Sequence, residues 1–396
     1  MLQLFMKMPT EQVGKSITSR MTMNEKELRE IKRRFRPDRS NISKIVGCFV
    51  NTNGQILSRF NQSVMLSESD EGEELLSVMK KTLSGSLGTN LIDIEFSTAD
   101  VTNRDEHKLL MTLRDTRLAD TDALERFYQS VTESVHLSSN YVIMLACDVY
   151  DVSSGKDDEA GGSYTTFTYI VCSICPLKDA DSGLFFRESD SLFHSVNANA
   201  ILTRPLLGFM FPTFDDRMAN IYHTLLYTKD ISNTYPEFTG RVFGKDAPMP
   251  PKVQKSTFDY CLTSALGEEC SFDTVKSVHT QIGEMMEVHK LTNSDEPFVI
   301  TKSIVKDVLE KCGVGEEKVV KTTDRIDENF GKNAELRPKN VINTKRLDIK
   351  MPDVEIKIKP EKYNLVSTQV IGEKKYVMIE AEDGVVINGI EVKIED

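Results

Sequence analysis

The residues with the greatest chemical potential lie in Phe211-Pro-Thr-Phe-Asp-Asp-Arg217 and at His223 shortly after it. Two adjacent carboxylates, a guanidinium and an imidazole follow directly on an apolar run. At the end of a strand such a set could hold a divalent ion or a phosphate-bearing ligand, with Asp148 and Asp151 leaving the neighbouring strand. On that reading Asp215, Asp216 and His223 are candidate catalytic groups of a metal-dependent hydrolase, and Arg217 holds an anion or forms an ion pair. The same residues have a commoner use, an Asp N-cap with a local ion pair opening the segment 218–226.

Two other groups invite a functional reading. Lys32, Arg33, Arg34, Arg36 and Arg39 form the densest positive cluster in a chain of formal charge −12. They suit nucleic acid or an acidic partner surface, although a charge run more often just solvates a helix face. Cys172-Ser-Ile-Cys175 has metal-like spacing, but a closed zinc site takes four ligands and no second Cys-x-x-Cys exists. In a continuous strand, residues three apart point to opposite faces. Only a turn from Ser173, forced by Pro176, would let Cys172 and Cys175 converge, so buried structural cysteines are the expectation.

Other chemistry is set aside by pattern. Ser84-Gly-Ser-Leu-Gly-Thr-Asn90 is glycine-rich, but it leaves a helix and enters a strand. A phosphate cradle needs the reverse order, with free N–H groups of a helix N-terminus facing the anion. There is no Walker loop, Gly-x-Ser-x-Gly, His-Glu-x-x-His or dinucleotide fingerprint. No cofactor is expected, and the reading leans away from an enzyme.

The elements that must position these residues can be read from periodicity. Asn24 is placed to cap a helix over 26–35, with Leu28, Ile31 and Phe35 on one stripe and Pro37 beyond its end. Residues 44–50 and 55–60 flank Asn51-Thr-Asn-Gly54, whose Asn-Gly pair would supply the positive φ angles of a tight hairpin. A helix over 73–83, a strand over 91–96 and an amphipathic helix over 120–135 follow. The runs 141–147 and 165–175 are apolar and rich in β-branched and aromatic residues, as buried strands are. The polar loop between them makes the pair antiparallel. After Pro248-Met-Pro-Pro251, a linker, come helices over 253–266, 272–289, 302–311 and 316–330; from residue 340 the period changes to two.

The fold class is therefore α+β, a central, largely antiparallel sheet with flanking helices, then a helical region and a C-terminal β meander. The expected divisions are a disordered extension or misplaced start over 1–22, an α+β core over 23–247, a helical region over 252–335 and the meander over 340–396. With 39% hydrophobic residues among 396, the chain can bury a sizeable core, and its pI near 5.2 disfavours a protein that coats nucleic acid through its overall field. Seven scattered cysteines fit a reducing cytoplasm, and no apolar run approaches the roughly 20 residues needed to cross a bilayer, so no membrane partner is expected.

From Met23 onward the chain resembles a bacterial family, domain of unknown function 4317. The likeness rests on residues 24–35, Lys81-Thr-Leu-Ser-Gly-Ser-Leu-Gly88, Cys172-Ser-Ile-Cys-Pro176, the Phe-Pro-x-Phe-x-Asp-Arg pattern at 211–217, Leu266-Gly-Glu-Glu-Cys270, and Asn343-Thr-Lys-Arg346 with Pro352-Asp-Val354. The resemblance implies a bacterial cytoplasmic protein and names no activity. Element order alone is also similar to nucleoid-associated proteins, with no matching motif. The reading that best joins these observations is a non-catalytic binding or regulatory protein with a protein partner. The alternatives are nucleic-acid or nucleoid association through the basic helix, and the hydrolase at Asp215 and Asp216.

Overall fold

The computed structural model describes residues 23–64, 69–153, 164–179, 183–187, 190–196, 200–292, 298–343, 346–381 and 384–392. The extension expected over 1–22 and most of the loop between the two long strands lie outside the described residues. Helix α1 (Glu25–Arg34) opens on a capping box: the Asn24 side chain accepts from the Glu27 N–H at 3.0 Å, and the Glu27 carboxylate accepts from the Asn24 N–H at 2.9 Å. Leu28, Ile31 and Phe35 are buried along the predicted stripe.

Strands β1 (Lys44–Val50) and β2 (Ile56–Ser63) form the expected antiparallel hairpin. Its turn differs in detail. Of the Asn-Gly pair only Gly54 has a positive φ, +77°, and the Asn51 side chain closes the loop by accepting from the N–H groups of Asn53 and Gln55. The extra loop residue is absorbed by a register shift at Phe49 and Val50. Helix α2 (Ser69–Lys80) tightens into a 3-10 turn over Lys81–Leu83 before β3 (Leu91–Glu95). Helices α3 (Thr98–Asn103), α4 (Asp105–Asp115) and α5 (Thr121–Thr132) follow, the last capped by Asp120.

The two apolar runs become β4 (Tyr141–Ser153) and β5 (Tyr164–Lys178), antiparallel from Tyr141 opposite Pro176 to Ser153 opposite Tyr164. A side hairpin, β6 (Gly183–Arg187) with β7 (Leu192–Val196), and a short β8 (Ile201–Leu202) on the end of β5 lead to β9 (Leu207–Phe211). A small hairpin, β10 (Thr213–Asp215) with β11 (Met218–Asn220), precedes β12 (His223–Thr228). The short α6 (Pro236–Phe238) runs into a π-helical turn, Thr239–Phe243.

The main sheet runs in the order β2-β1-β4-β5-β9-β12-β3, with every neighbouring pair antiparallel. Both faces are covered, which is why the central strands are apolar throughout rather than alternating. One face packs Ile143, Ile170, Cys172, Phe209 and Phe211 against α4, α5 and the π turn; the other packs Met144, Tyr169, Cys175 and Met210 against α1, α2 and Phe214.

Beyond Pro250, α7 (Pro251–Leu266), α8 (Phe272–Leu291), α9 (Lys302–Lys311), α10 (Glu316–Phe330) and α11 (Pro338–Val341) enclose their own core, with Phe258, Ile282, Leu309, Val319 and Ile326 inside. The C-terminal meander consists of three separate hairpins: β13 (Leu347–Met351) with β14 (Val354–Ile358), β15 (Val366–Ile371) with β16 (Lys374–Ile379), and β17 (Val385–Ile387) with β18 (Ile390–Val392). Leu347, Ile358, Tyr363 and Val366 form a small core with Phe272 of α8 packed on it.

Candidate functional site

Helical geometry divides the basic run of α1. Arg34 lies on the inward side with Glu27 and Glu30, at spacings of seven and four residues. Its guanidinium grips the Asp148 carboxylate with two donors, Nη2 at 3.1 Å from Oδ1. That carboxylate, fully buried, also accepts from the Asn41 N–H at 2.8 Å and the Tyr169 hydroxyl at 2.9 Å. Burial alone would lower the Arg34 pKa, but the Asp148 charge and hydrogen bonds leave it raised. Arg34 is therefore a core cation, and the exposed basic face consists of Arg33, Arg36 and Arg39, with Lys32 half-buried beside them. Burial, reinforced by Lys80, lowers the Lys32 pKa, against the pull of Glu25.

The Asp-Asp-Arg segment opens no helix. Asp215 ends β10, Asp216 and Arg217 form the two-residue turn with φ of +46° and +61°, and Met218 begins β11. Alternation of side chains and the tight turn, not an N-cap, place these residues. The turn is clamped onto α1 through Arg217, whose Nη1 donates to Glu30 at 3.0 Å. Burial raises the Glu27 carboxyl, against the pull of the backbone N–H groups of Asn24, Arg217 and Asp216. Tyr150 donates its hydroxyl to the other Glu30 oxygen at 2.5 Å. Arg217 is thus an ion-pair residue within the protein. Asp148, once a possible companion of Asp215, is held by Arg34 instead.

His223 opens β12 on the same sheet face as Asp93 and Glu95 of the edge strand β3, since the register sets His223 opposite Glu95. Its Nδ1 lies 2.7 Å from Asp93 Oδ2. Asp215, accepting from Asn220 at 3.1 Å, is close enough to act on His223 electrostatically. Burial alone would depress the His223 pKa, but the hydrogen bond and charge of Asp93, with Glu95 and Asp215 behind it, raise it above the usual value. Burial also raises the Asp215 carboxyl, helped by Asp216 and Asp93 and opposed by Asn220 and His223.

A pH dependence follows with a definite sign. A histidine whose folded pKa is raised stabilises the fold fully below its unfolded value of about 6.5, and that contribution is lost as pH rises through the folded value. His223→Gln is expected to remove this component, so its Tm falls less than that of the wild type between about pH 6 and 8. Parallel Tm–pH curves for the two proteins would show that the pair makes no such contribution.

Asp93 and Glu95 also line a cleft of about 470 Å³ between β3 and the helical region. Lys332, Glu335, Arg337 and Asn340 line it as well. Asn340 stitches the two regions together, donating to the Gly88 carbonyl at 2.7 Å and to Gln254 at 3.0 Å while accepting from Thr89 at 2.8 Å. Among the described residues no group of three or more His, Cys, Asp or Glu side chains is arranged to hold a metal ion. Cys172 and Cys175 are fully buried and belong to the two opposite faces of the sheet. Pro176 induces no turn, because β5 continues through it to Lys178.

The segments that carry these contacts, α1, the glycine-rich loop, β5 and the β10–β11 hairpin, all fall within residues 23–390, which match the model of a family described as a domain of unknown function, DUF4317. The chain belongs to this family. No curated protein matches it. In this DUF4317 chain the Phe-Pro-x-Phe-x-Asp-Arg pattern corresponds to β9, its link and the clamped turn, so its Asp-Arg end meets α1.

Sequence reasoning missed Glu27, Glu30, Asp93 and Arg337 as members of these polar clusters. Alternation in Leu91-Ile-Asp-Ile-Glu95 signals that Asp93 and Glu95 share a face. Nothing local signals that His223 is their neighbour.

Proposed function

We propose that this protein is a non-catalytic binding protein that recognises an acidic protein surface through the basic face at the C-terminal end of α1. The observation that carries this reading is that Arg33 and Arg36 are exposed and, among the described residues, enter no ion pair, in a chain of formal charge −12. Arg39 beside them is exposed and only loosely paired with Asp38, at 3.7 Å. Guanidinium groups presented in this way match carboxylates in a bidentate fashion at little reorganisation cost. The internal engagement of the reactive candidates supports the non-catalytic part: Arg34 with Asp148, Arg217 with Glu30, His223 with Asp93. All seven cysteines are free, which suits a bacterial cytoplasmic setting. Among the described residues no helix is long and apolar enough to cross a membrane.

Phosphate would suit the same arginines, so nucleic acid is the second reading, opposed by the negative field of the whole chain. The test is a tagged pull-down from native lysate, in nuclease-treated and untreated halves, of the wild type and of a variant carrying Lys32→Gln, Arg33→Gln, Arg36→Gln and Arg39→Gln. The expected result is a nuclease-resistant protein whose capture falls roughly tenfold in the variant and weakens with salt. Equal capture by the variant overturns the assignment of this face. Partners lost on nuclease treatment move the assignment to nucleic acid.

A further inference from the structure

The β13–β14 hairpin is a two-stranded sheet of its own, and the outer edge of β14 pairs with no strand among the described residues. An open edge offers a row of unused N–H and C=O groups to another strand. The residues on this edge say which strand fits. Val354-Glu355-Ile356-Lys357-Ile358 is self-complementary when run antiparallel to itself about Ile356. Val354 then faces Ile358 of a second copy, Glu355 faces Lys357, Ile356 faces Ile356, and Lys357 faces Glu355. Every apolar residue meets an apolar one and every charge meets its opposite, as favourable cross-strand pairing requires.

The surroundings support the same occupant. Val354, Ile356 and Ile358 lie on one face of the hairpin, continuous with the small core of Leu347 and Tyr363, so pairing extends that face without exposing a polar row. Glu355 and Lys357 are half-exposed and pair with each other along the strand, at 3.0 Å, and Glu355 also meets Lys350 of β13 at 3.5 Å; ion pairs this exposed give way to a partner at little cost. The edge of β13 has a similar alternation, but Asp348 is already held by Arg346 at 2.7 Å and by Asn343 at 3.1 Å. Farther along the tail, Val370, Ile371, Ile379, Val386, Ile387 and Ile390 each expose more than half of their surface. Neighbours such as Val370 and Ile371 point to opposite faces, so a lone hairpin cannot cover both.

We propose that a second copy of this chain pairs its β14 antiparallel to this β14, about a two-fold axis through Ile356, to form a four-stranded sheet in a closed dimer. An isologous contact of this kind satisfies both edges at once and does not propagate.

The test is sedimentation of the full chain over roughly two decades of concentration, with two variants built on charge. Asp348→Lys with Lys357→Glu keeps opposite charges across the β13–β14 rung, yet sets two acidic groups against each other at both ends of the dimer contact. Adding Lys350→Glu and Glu355→Lys keeps opposite charges across both hairpin rungs and restores them across the two-fold. The expected result is a wild-type dimer, a dissociation constant raised about tenfold in the double variant, and recovery in the quadruple variant. A wild-type monomer at every concentration overturns the proposal. So does a double variant that dimerises like the wild type, or a quadruple variant that stays as weak as the double.

Discussion

Asp148→Ala is expected to lower the unfolding free energy by about 3–5 kcal/mol, because it leaves the Arg34 charge buried without its counter-ion. Arg34 is 14% exposed in its side chain and Asp148 not at all, so water cannot replace the lost carboxylate. The Tyr169 hydroxyl and the Asn41 N–H lose their acceptor in the same change. Removing both charges, with Arg34→Met and Asp148→Leu together, is expected to cost less than the sum of the single changes, since no unpaired charge then remains. Urea denaturation of the wild type, Asp148→Ala, Arg34→Met, Asp148→Leu and the double variant measures this directly. An Asp148→Ala midpoint equal to that of the wild type would mean that Arg34 escapes to solvent and that the network adds little.

Gly208→Ala is expected to be comparably damaging, by about 3 kcal/mol, for a purely steric reason. A Cβ at this position in β9 would lie 2.2 Å from the Cys172 carbonyl oxygen and 2.6 Å from Thr82 Cγ2. Neither neighbour can retreat easily. The first is backbone of the paired strand β5, and the second belongs to the 3-10 turn after α2, whose buried Thr82 hydroxyl is hydrogen-bonded to Ser173 at 2.6 Å. Gly283→Ala is the natural control: it lies inside α8 with nothing within 4 Å of the added carbon, and is expected to stabilise by roughly 0.5–1 kcal/mol. Equal Tm values for the Gly208 variant and the wild type would show that the sheet can open locally at this rung.

Particular residues show how much of the site is legible in the sequence. Arg34 was visible in the sequence only as one member of a basic run, and the helical period alone could not say which of Lys32, Arg33 and Arg34 faces a carboxylate. That required knowing that β4 passes beneath α1, with Asp148 114 residues away in the chain. The Asp215–Asp216–Arg217 cluster reads in the sequence as a ligand site or, more commonly, a helical cap, because an Asp pair after an apolar run fits an N-cap as well as it fits a type of hairpin turn; the structure has the hairpin turn. The opposite orientation of Cys172 and Cys175, by contrast, followed from strand alternation alone and is what the structure has.

Residues close together in the chain settle what short-range physics controls. The cap at Asn24, the β1–β2 hairpin, the antiparallel β4–β5 pair, the four long helices after Pro250 and the change to strand periodicity near residue 340 all depend on residues close together in the chain. Which distant groups meet is set by the three-dimensional arrangement of the strands and helices. The placing of β3 at the far edge beside β12, and with it the Asp93–His223 pair across 130 residues, depends on strand order. Strand order reflects the sum of many long-range pairings and the closure of long loops, and no local pattern of residues records that sum.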